Sequence, residues 1–256
     1  MHGRKKNSTT PQQRAEASAK ISKFATLSQQ VLRLRRGGVL KQQVLKHSAK
    51  LVEANPDFYT VWNYRRDVIE HLSKNEWTQE QLRERLEAEL RLTQTALMRN
   101  PKSYNAWHQR VWVVQLGQQN DGLIDLQQEL ALCDTFLSKD SRNFHCWDYR
   151  RFVTQLMSRD VSEELQFSTT LIEENFSNFS SWHYRGKLLL ATHTAAELQQ
   201  TLRDELTLVR NAMFTEPDDQ SAWLFHRFVL AQFGILALGE SKRSDVVKIE
   251  LSEEER

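Results

Sequence analysis

Five stretches of this chain align without gaps around a tryptophan. They read NPDFYTVWNYRRDV around Trp62, NPKSYNAWHQRVWV around Trp107, DSRNFHCWDYRRFV around Trp147, NFSNFSSWHYRGKL around Trp182 and EPDDQSAWLFHRFV around Trp223. The tryptophans lie 45, 40, 35 and 41 residues apart. A period near forty with a fixed apolar signature belongs to helical hairpins that bury their apolar faces on one another. The expected fold is therefore all-α, a right-handed solenoid or crescent of stacked antiparallel helical hairpins. Gly 8 and Pro 4 agree with long helices and few tight turns.

Within the repeat, an aromatic stands three residues before the tryptophan (Tyr59, Tyr104, Phe144, Phe179) and an arginine three after (Arg65, Arg110, Arg150, Arg185). A spacing of three predicts one helix face carrying aromatic, Trp and Arg. The fifth copy departs, with Gln220 and His226 at those positions. The arginines are expected to bond carbonyls or carboxylates of neighbouring repeats. Pro56, Pro101 and Pro217 each precede a repeat Trp by six and end the preceding helix. Between the motifs run amphipathic stretches. Two open on capping-box patterns, Thr78 with Gln81 and Thr194 with Glu197, and Ser162 to Asn175 reads likewise. Each repeat is expected to be a motif helix followed by a second helix and an Asn/Asp/Pro turn.

The expected organisation is a mobile tail over 1–9, a basic leading helical pair over 10–54, five repeats over 55–233 and an irregular or truncated tail over 234–256. Thr10-Pro11 with Gln13 starts the first helix, and Gly37-Gly38 breaks it after Arg36. At the far end Val247, Ile249 and Leu251 alternate with charges, a weak strand signal, and no second helix is expected to complete the fifth repeat.

Charge is distributed unevenly. Residues 1–50 hold 12 Lys/Arg against Glu16 alone, net +11, while the other 206 residues hold 23 bases and 32 acids, net −9. Such a head suits an acidic protein, a phosphate or an anionic membrane, or is simply a solvated helix face. Its bases alternate with apolar residues and lack interleaved aromatics, so a nucleic-acid partner is not expected. No apolar run approaches ~20 residues, so no transmembrane segment is expected. The first residues contain no apolar signal-peptide core, and two cysteines make no disulfide framework. A cytoplasmic location is the expectation.

No complete active site is legible. There is no phosphate-binding glycine loop and no nucleophile elbow. Cys133, His145, Cys146 and Asp148 form the densest metal-capable group, but lack a ligand-spacing frame, so no metal is expected in this chain. Lys102 follows Pro101 in the second motif only; its counterparts are Asp57, Arg142, Ser177 and Asp218. A lysine in the turn before a helix can hold a phosphate, helped by the helix N-terminus, although a surface lysine there is ordinarily just solvated.

The tandem pattern P-x-x-Y/F-x-x-W-x-x-R resembles the repeat of protein prenyltransferase alpha subunits. Phrases such as NPKSY, RNFHCWDYRRFV and FSNFSSWHYR are most similar to its type II, Rab geranylgeranyltransferase branch. The resemblance implies a helical scaffold around a prenyltransferase beta subunit that carries the catalytic zinc. Geranylgeranyl diphosphate would be the co-substrate, and C-terminal cysteines of Rab GTPases, presented by a Rab escort protein, the acceptors. The family's diphosphate-assisting lysine falls on Lys102, with Tyr104 on the same turn, and His2 is a candidate autoinhibitory contact to the partner's zinc. The Trp62, Trp107, Trp147, Trp182 and Trp223 positions and the four arginines are structural. Alternatives are a non-catalytic helical-repeat interaction scaffold, or the alpha subunit of a farnesyl or type I geranylgeranyl transferase. Tetratricopeptide repeats run at about 34 residues without this Trp-x-x-Arg core.

Overall fold

The computed structural model describes residues 10–192 and 195–238. Among these residues there are eleven helices and no strands: α1 Pro11–Arg36, α2 Gln42–Ala54, α3 Tyr59–Asn75, α4 Gln79–Arg99, α5 Tyr104–Gln119, α6 Leu126–Lys139, α7 Phe144–Leu156, α8 Val161–Glu174, α9 Phe179–Thr192, α10 Ala195–Thr215 and α11 Gln220–Leu238. They fall into two compact units, Met1–Asp125 and Leu126–Arg256. The Thr194 capping box, the alternating Val247–Leu251 stretch and His2 lie outside the described residues.

In the first unit α2 packs on α3 and α4 on α5; in the second α6 packs on α7, α8 on α9 and α10 on α11. The packed hairpin is thus the motif helix with the helix before it, not the one after. The reason is the turn. In all five copies the residue four before the motif helix accepts a backbone bond from the residue three further on: Phe58 to Asn55, Ser103 to Asn100, Asn143 to Asp140, Asn178 to Asn175 and Asp219 to Glu216, at 3.0–3.2 Å. In four of them its side-chain oxygen also accepts the amide two residues on, those of Asp57, Lys102, Arg142 and Ser177. Asn and Asp favour such a doubly bonded turn, and so short a link folds its flanking helices back on each other. The fifth copy is accordingly complete, with α10 as its first limb, which corrects the expectation of a missing helix.

The tryptophan locks this turn. Each indole N–H donates to the carbonyl six residues back: Trp62 to Pro56, Trp107 to Pro101, Trp147 to Ser141, Trp182 to Phe176 and Trp223 to Pro217, at 2.8–2.9 Å. A buried indole needs a partner for its N–H, and the turn supplies one without reaching beyond its own repeat. Trp62, Trp107, Trp147 and Trp182 are at most 4% exposed, whereas Trp223 is 46% exposed. Trp182 packs on Phe225 of α11, and Trp147 on Tyr184 of α9.

Helix ends follow local chemistry. Thr10 and Thr78 form complete capping boxes with Gln13 and Gln81, each satisfying N-terminal amides that would otherwise lack partners. The helix read from Ser162 begins earlier: Asp160 is its cap, accepting the Ser162 amide at 2.9 Å. Hydrogen bonds from that amide and its side chain hold the Asp160 carboxyl below its ordinary range. Residues 11–23 of α1 are all exposed; Phe24 is the first to reach the body, against Phe58.

Candidate functional site

The arginines three residues after the tryptophans face inward, and their partners recur at fixed distances along the chain. Arg65 donates to the Leu45 carbonyl and the Ser48 hydroxyl, twenty and seventeen residues before it. Arg110 donates to the Leu90 carbonyl and Thr93, and Arg185 to the Leu165 carbonyl and Ser168, at the same offsets. Cys133 occupies that hydroxyl position before Arg150, which turns to Asp134 at 2.6 Å. The acceptors lie on the first limb of the same hairpin. Three arginines then reach forward to the next helix, where buried carboxylates await them. Arg65 pairs with Glu89, Arg150 with Glu164 at 2.7 Å, and Arg185 with Glu205 at 2.6 Å. Each guanidinium engages both carboxylate oxygens through two N–H groups, the strong fork geometry. These arginines are structural clamps.

The aromatics three residues before the tryptophans do not share this inward face. Tyr59, Tyr104, Phe144 and Phe179 are exposed, because each is the first residue of its helix and lies over the turn rather than over the body. A spacing of three also leaves neighbours some 60° apart around a helix of 3.6 residues per turn.

Lys102 stands exposed in the turn between α4 and α5, one residue before the cap. Ser103 caps α5, its side chain accepting the Ala106 amide. Tyr104, 66% exposed, is the first residue of that helix. The structure therefore brings Lys102 and Tyr104 to one helix N-terminus, where backbone amides and the helix dipole favour an anion. The preceding repeat holds this turn. The Asp57 carboxylate accepts the Ser103 hydroxyl at 2.6 Å and the Asn100 amide at 3.1 Å, and its carbonyl accepts Asn105 at 3.3 Å. Ser103 also lies 3.2 Å from the Pro56 carbonyl that receives the Trp62 indole.

A second polar group joins α3 to α5. Arg66 donates to the Gln109 side chain at 2.7 Å, lies 3.0 Å from His108 Nδ1 and sits over the Trp112 ring at 5.7 Å. Burial, and then the Arg66 charge, push the His108 imidazole below its ordinary range, so its ring nitrogen is suited to accept from the guanidinium. Trp112, outside the repeat pattern, thus finds a use between hairpins.

The Cys133, His145, Cys146 and Asp148 group disperses into other contacts. The Cys146 thiol lies 3.5 Å from the Cys133 carbonyl, His145 rests on the Phe144 ring, and Asp148 pairs with Arg151. Contact with Cys146, reinforced by burial, raises the Cys133 thiol well above its ordinary range, which makes it a poor nucleophile. Among the described residues, no three His, Cys, Asp or Glu side chains gather as a metal site, and no helix is long and apolar enough to cross a membrane.

Sequence reasoning missed Glu89, Glu164, Glu205 and Asp57. The glutamates carry a signal in hindsight: each stands on the apolar stripe of its helix. Asp57 carries none, since aspartate in a turn is unremarkable.

A family model described as "Protein prenyltransferase alpha subunit repeat" matches residues 42–72, 86–117, 126–157, 161–192 and 202–233. Each matched segment ends within a motif helix, in phase with the packed hairpins. The chain is 42% identical over 243 residues to the geranylgeranyl transferase type-2 subunit alpha of Rattus norvegicus, covering 91% of this chain and 42% of that protein. It is 42% identical over 254 residues to the Homo sapiens protein of the same name, with the same coverage. Against geranylgeranyl transferase type-2 subunit alpha 1 of Arabidopsis thaliana it is 46% identical over 237 residues, covering 91% of this chain and 34% of that one. The chain spans less than half the length of these curated relatives. Among solved structures, one described as Candida albicans protein geranylgeranyltransferase-I complexed with GGPP shares the fold. Its TM-score is 0.69 at 23% identity, over 83% of this chain and 68% of that one.

Proposed function

Because this chain belongs to the protein prenyltransferase alpha-subunit repeat family, we propose that it acts as the alpha subunit of a type II geranylgeranyltransferase. In this reading it pairs in the cytoplasm with a beta subunit that carries the catalytic zinc. The heterodimer moves a geranylgeranyl group from geranylgeranyl diphosphate to C-terminal cysteines of Rab GTPases delivered by an escort protein. The observation that carries the reading is the 42–46% identity, over 91% of the chain, to proteins named as type-2 alpha subunits. A solenoid whose charged groups are largely spent on holding hairpins together fits a subunit that scaffolds chemistry rather than completing it.

In the reaction a cysteine thiolate forms a bond to C1 of the prenyl chain while the C1–oxygen bond breaks and pyrophosphate leaves with the electron pair. Zinc in the partner would supply the activated thiolate. This chain's part falls to Lys102. As the bond breaks, negative charge grows on the leaving diphosphate, and a fixed ammonium at the α5 N-terminus stabilises that state more than the ground state. Tyr104 lines the rim of the same turn.

Co-expression with a type II beta subunit, purification of the complex and assay of geranylgeranyl transfer to an escorted Rab test this reading. An active heterodimer is expected, and Lys102→Ala should lower kcat by about 10²-fold, the size of loss typical for removing one transition-state charge donor. Failure to form any complex would sink the assignment in favour of a non-catalytic scaffold.

A further inference from the structure

We propose that Asp57, in the first repeat, is a positioning residue for Lys102 in the second. The inference rests on the diphosphate role assigned to Lys102 above. Asp57 occupies the turn position that corresponds to Lys102 one repeat earlier, and it reaches forward into the lysine's own turn. Residues on both sides of Lys102 attach to it: Asn100 and Ser103 through the two carboxylate oxygens, Asn105 through the backbone carbonyl. Asn100 in turn accepts the Lys102 amide on its side-chain oxygen at 3.2 Å. One residue therefore anchors the turn that carries the lysine and the first residues of the helix behind it.

The anchor is itself fixed. The Asp57 amide donates to Asn55 Oδ1 at 3.1 Å, and the neighbouring Pro56 carbonyl accepts both the buried Trp62 indole and the Ser103 hydroxyl. Position is thereby transmitted from the packed tryptophan of one hairpin to the exposed lysine of the next through side chains that all have partners. In the second unit the turns are also tied, but differently: Arg142 donates to the Ser177 carbonyl, and Ser177 to Glu216. Among the described residues, only the turn bearing Lys102 is held through both oxygens of a carboxylate from the turn before it. An ammonium on a flexible four-carbon stem stabilises a transition state only if its root is held.

The test uses the heterodimer with a type II beta subunit, single-turnover transfer of geranylgeranyl to escorted Rab, and steady-state kinetics. Asp57→Ala should lower kcat about tenfold, below the roughly 10²-fold that a 1 Å misplacement can cost, while KM for the Rab complex stays unchanged. Asp57→Asn retains the acceptor for Ser103 and should lose only about threefold, since one of two side-chain bonds survives. In a Lys102→Ala background neither substitution should slow the reaction further, because residues acting through one group are not additive. Thermal melting of each complex separates misfolding from mispositioning, and Asp57→Asn carries the same cycle if Asp57→Ala does not assemble. A wild-type rate in Asp57→Ala, losses that multiply in the double variant, or an Asp57→Asn as slow as Asp57→Ala would each overturn the positioning role and leave Lys102 standing. A wild-type rate in Lys102→Ala would instead overturn the diphosphate assignment, and this inference with it.

Discussion

The buried arginines show how a repeat can afford charge in its interior. A guanidinium taken out of water is tolerable only when its donors are matched, and a pair broken on one side costs more than a pair never made. Arg185 meets that condition with Glu205, the Leu165 carbonyl, Ser168 and Thr169. The chain also contains the alternative. In the fifth repeat the arginine becomes His226, and Val209 stands seventeen residues earlier where Ser48, Thr93 and Ser168 carry their hydroxyls. Donor and acceptor vanish together. Glu205→Ala should therefore destabilise the protein by about 3–5 kcal/mol, read as a lower urea midpoint, because it strands Arg185. A double substitution of Arg185 and Glu205 by apolar residues of similar volume should lose much less. An equal loss in the single and double variants would contradict this account.

For single helices, local chemistry made much of the fold legible. Tryptophan spacing predicted the hairpins, and Thr10 and Thr78 predicted two helix starts that the structure bears. The pairing of limbs was not legible from periodicity, because a period does not say where a repeat begins; the doubly bonded Asn/Asp turn decides it. The exposed aromatics were misassigned to the buried face because a spacing of three was read without the direction in which side chains lean at a helix start. Of the site, Lys102 could be picked out by comparing turn positions, whereas the Asp57 anchor depends on a contact between repeats that no local pattern encodes. Gly117 in α5 shows the same limit. A Cβ there would lie 2.3 Å from the Ile124 side chain, which is buried as the chain leaves the helix. Gly117→Ala should lower stability by about 1–2 kcal/mol, the overpacking outweighing alanine's helix propensity. Adding Ile124→Ala should relieve the clash, so that the second substitution costs less in that background than alone. Denaturant unfolding of the four proteins checks the sign of the coupling.

Across the whole molecule, most packing is between helices close in sequence, so stability is a sum of local terms rather than the property of one core. The unequal charge of head and body is compatible with this, since no single interior has to neutralise it. A titration reports on the interior directly. Burial, followed by the neighbouring Glu164 carboxylate that accepts its hydroxyl at 2.7 Å, raises the Tyr184 phenol well above its ordinary value near 10.0. The unfolded chain loses this proton first as pH rises. Stability is thus intact below pH 10 and falls above it, with a slope of up to about 1.4 kcal/mol per pH unit. Tyr184→Phe should flatten that fall in melts taken between about pH 9.5 and 11, and an unchanged slope would place the alkaline sensitivity elsewhere.

The tryptophan lock also gives the chain an optical signature. Five of its seven indoles donate to a carbonyl over the same six-residue loop, yet four of them are sealed between helices while Trp223 stands 46% open to water. Light absorbed by this protein is therefore emitted from one class of chromophore in two surroundings. A blue-shifted, quencher-resistant majority comes from the hairpins that have a following hairpin packed on them. A red-shifted, quencher-sensitive minority comes from the last one, and whatever comes to rest on α11 would announce itself by turning the second colour into the first.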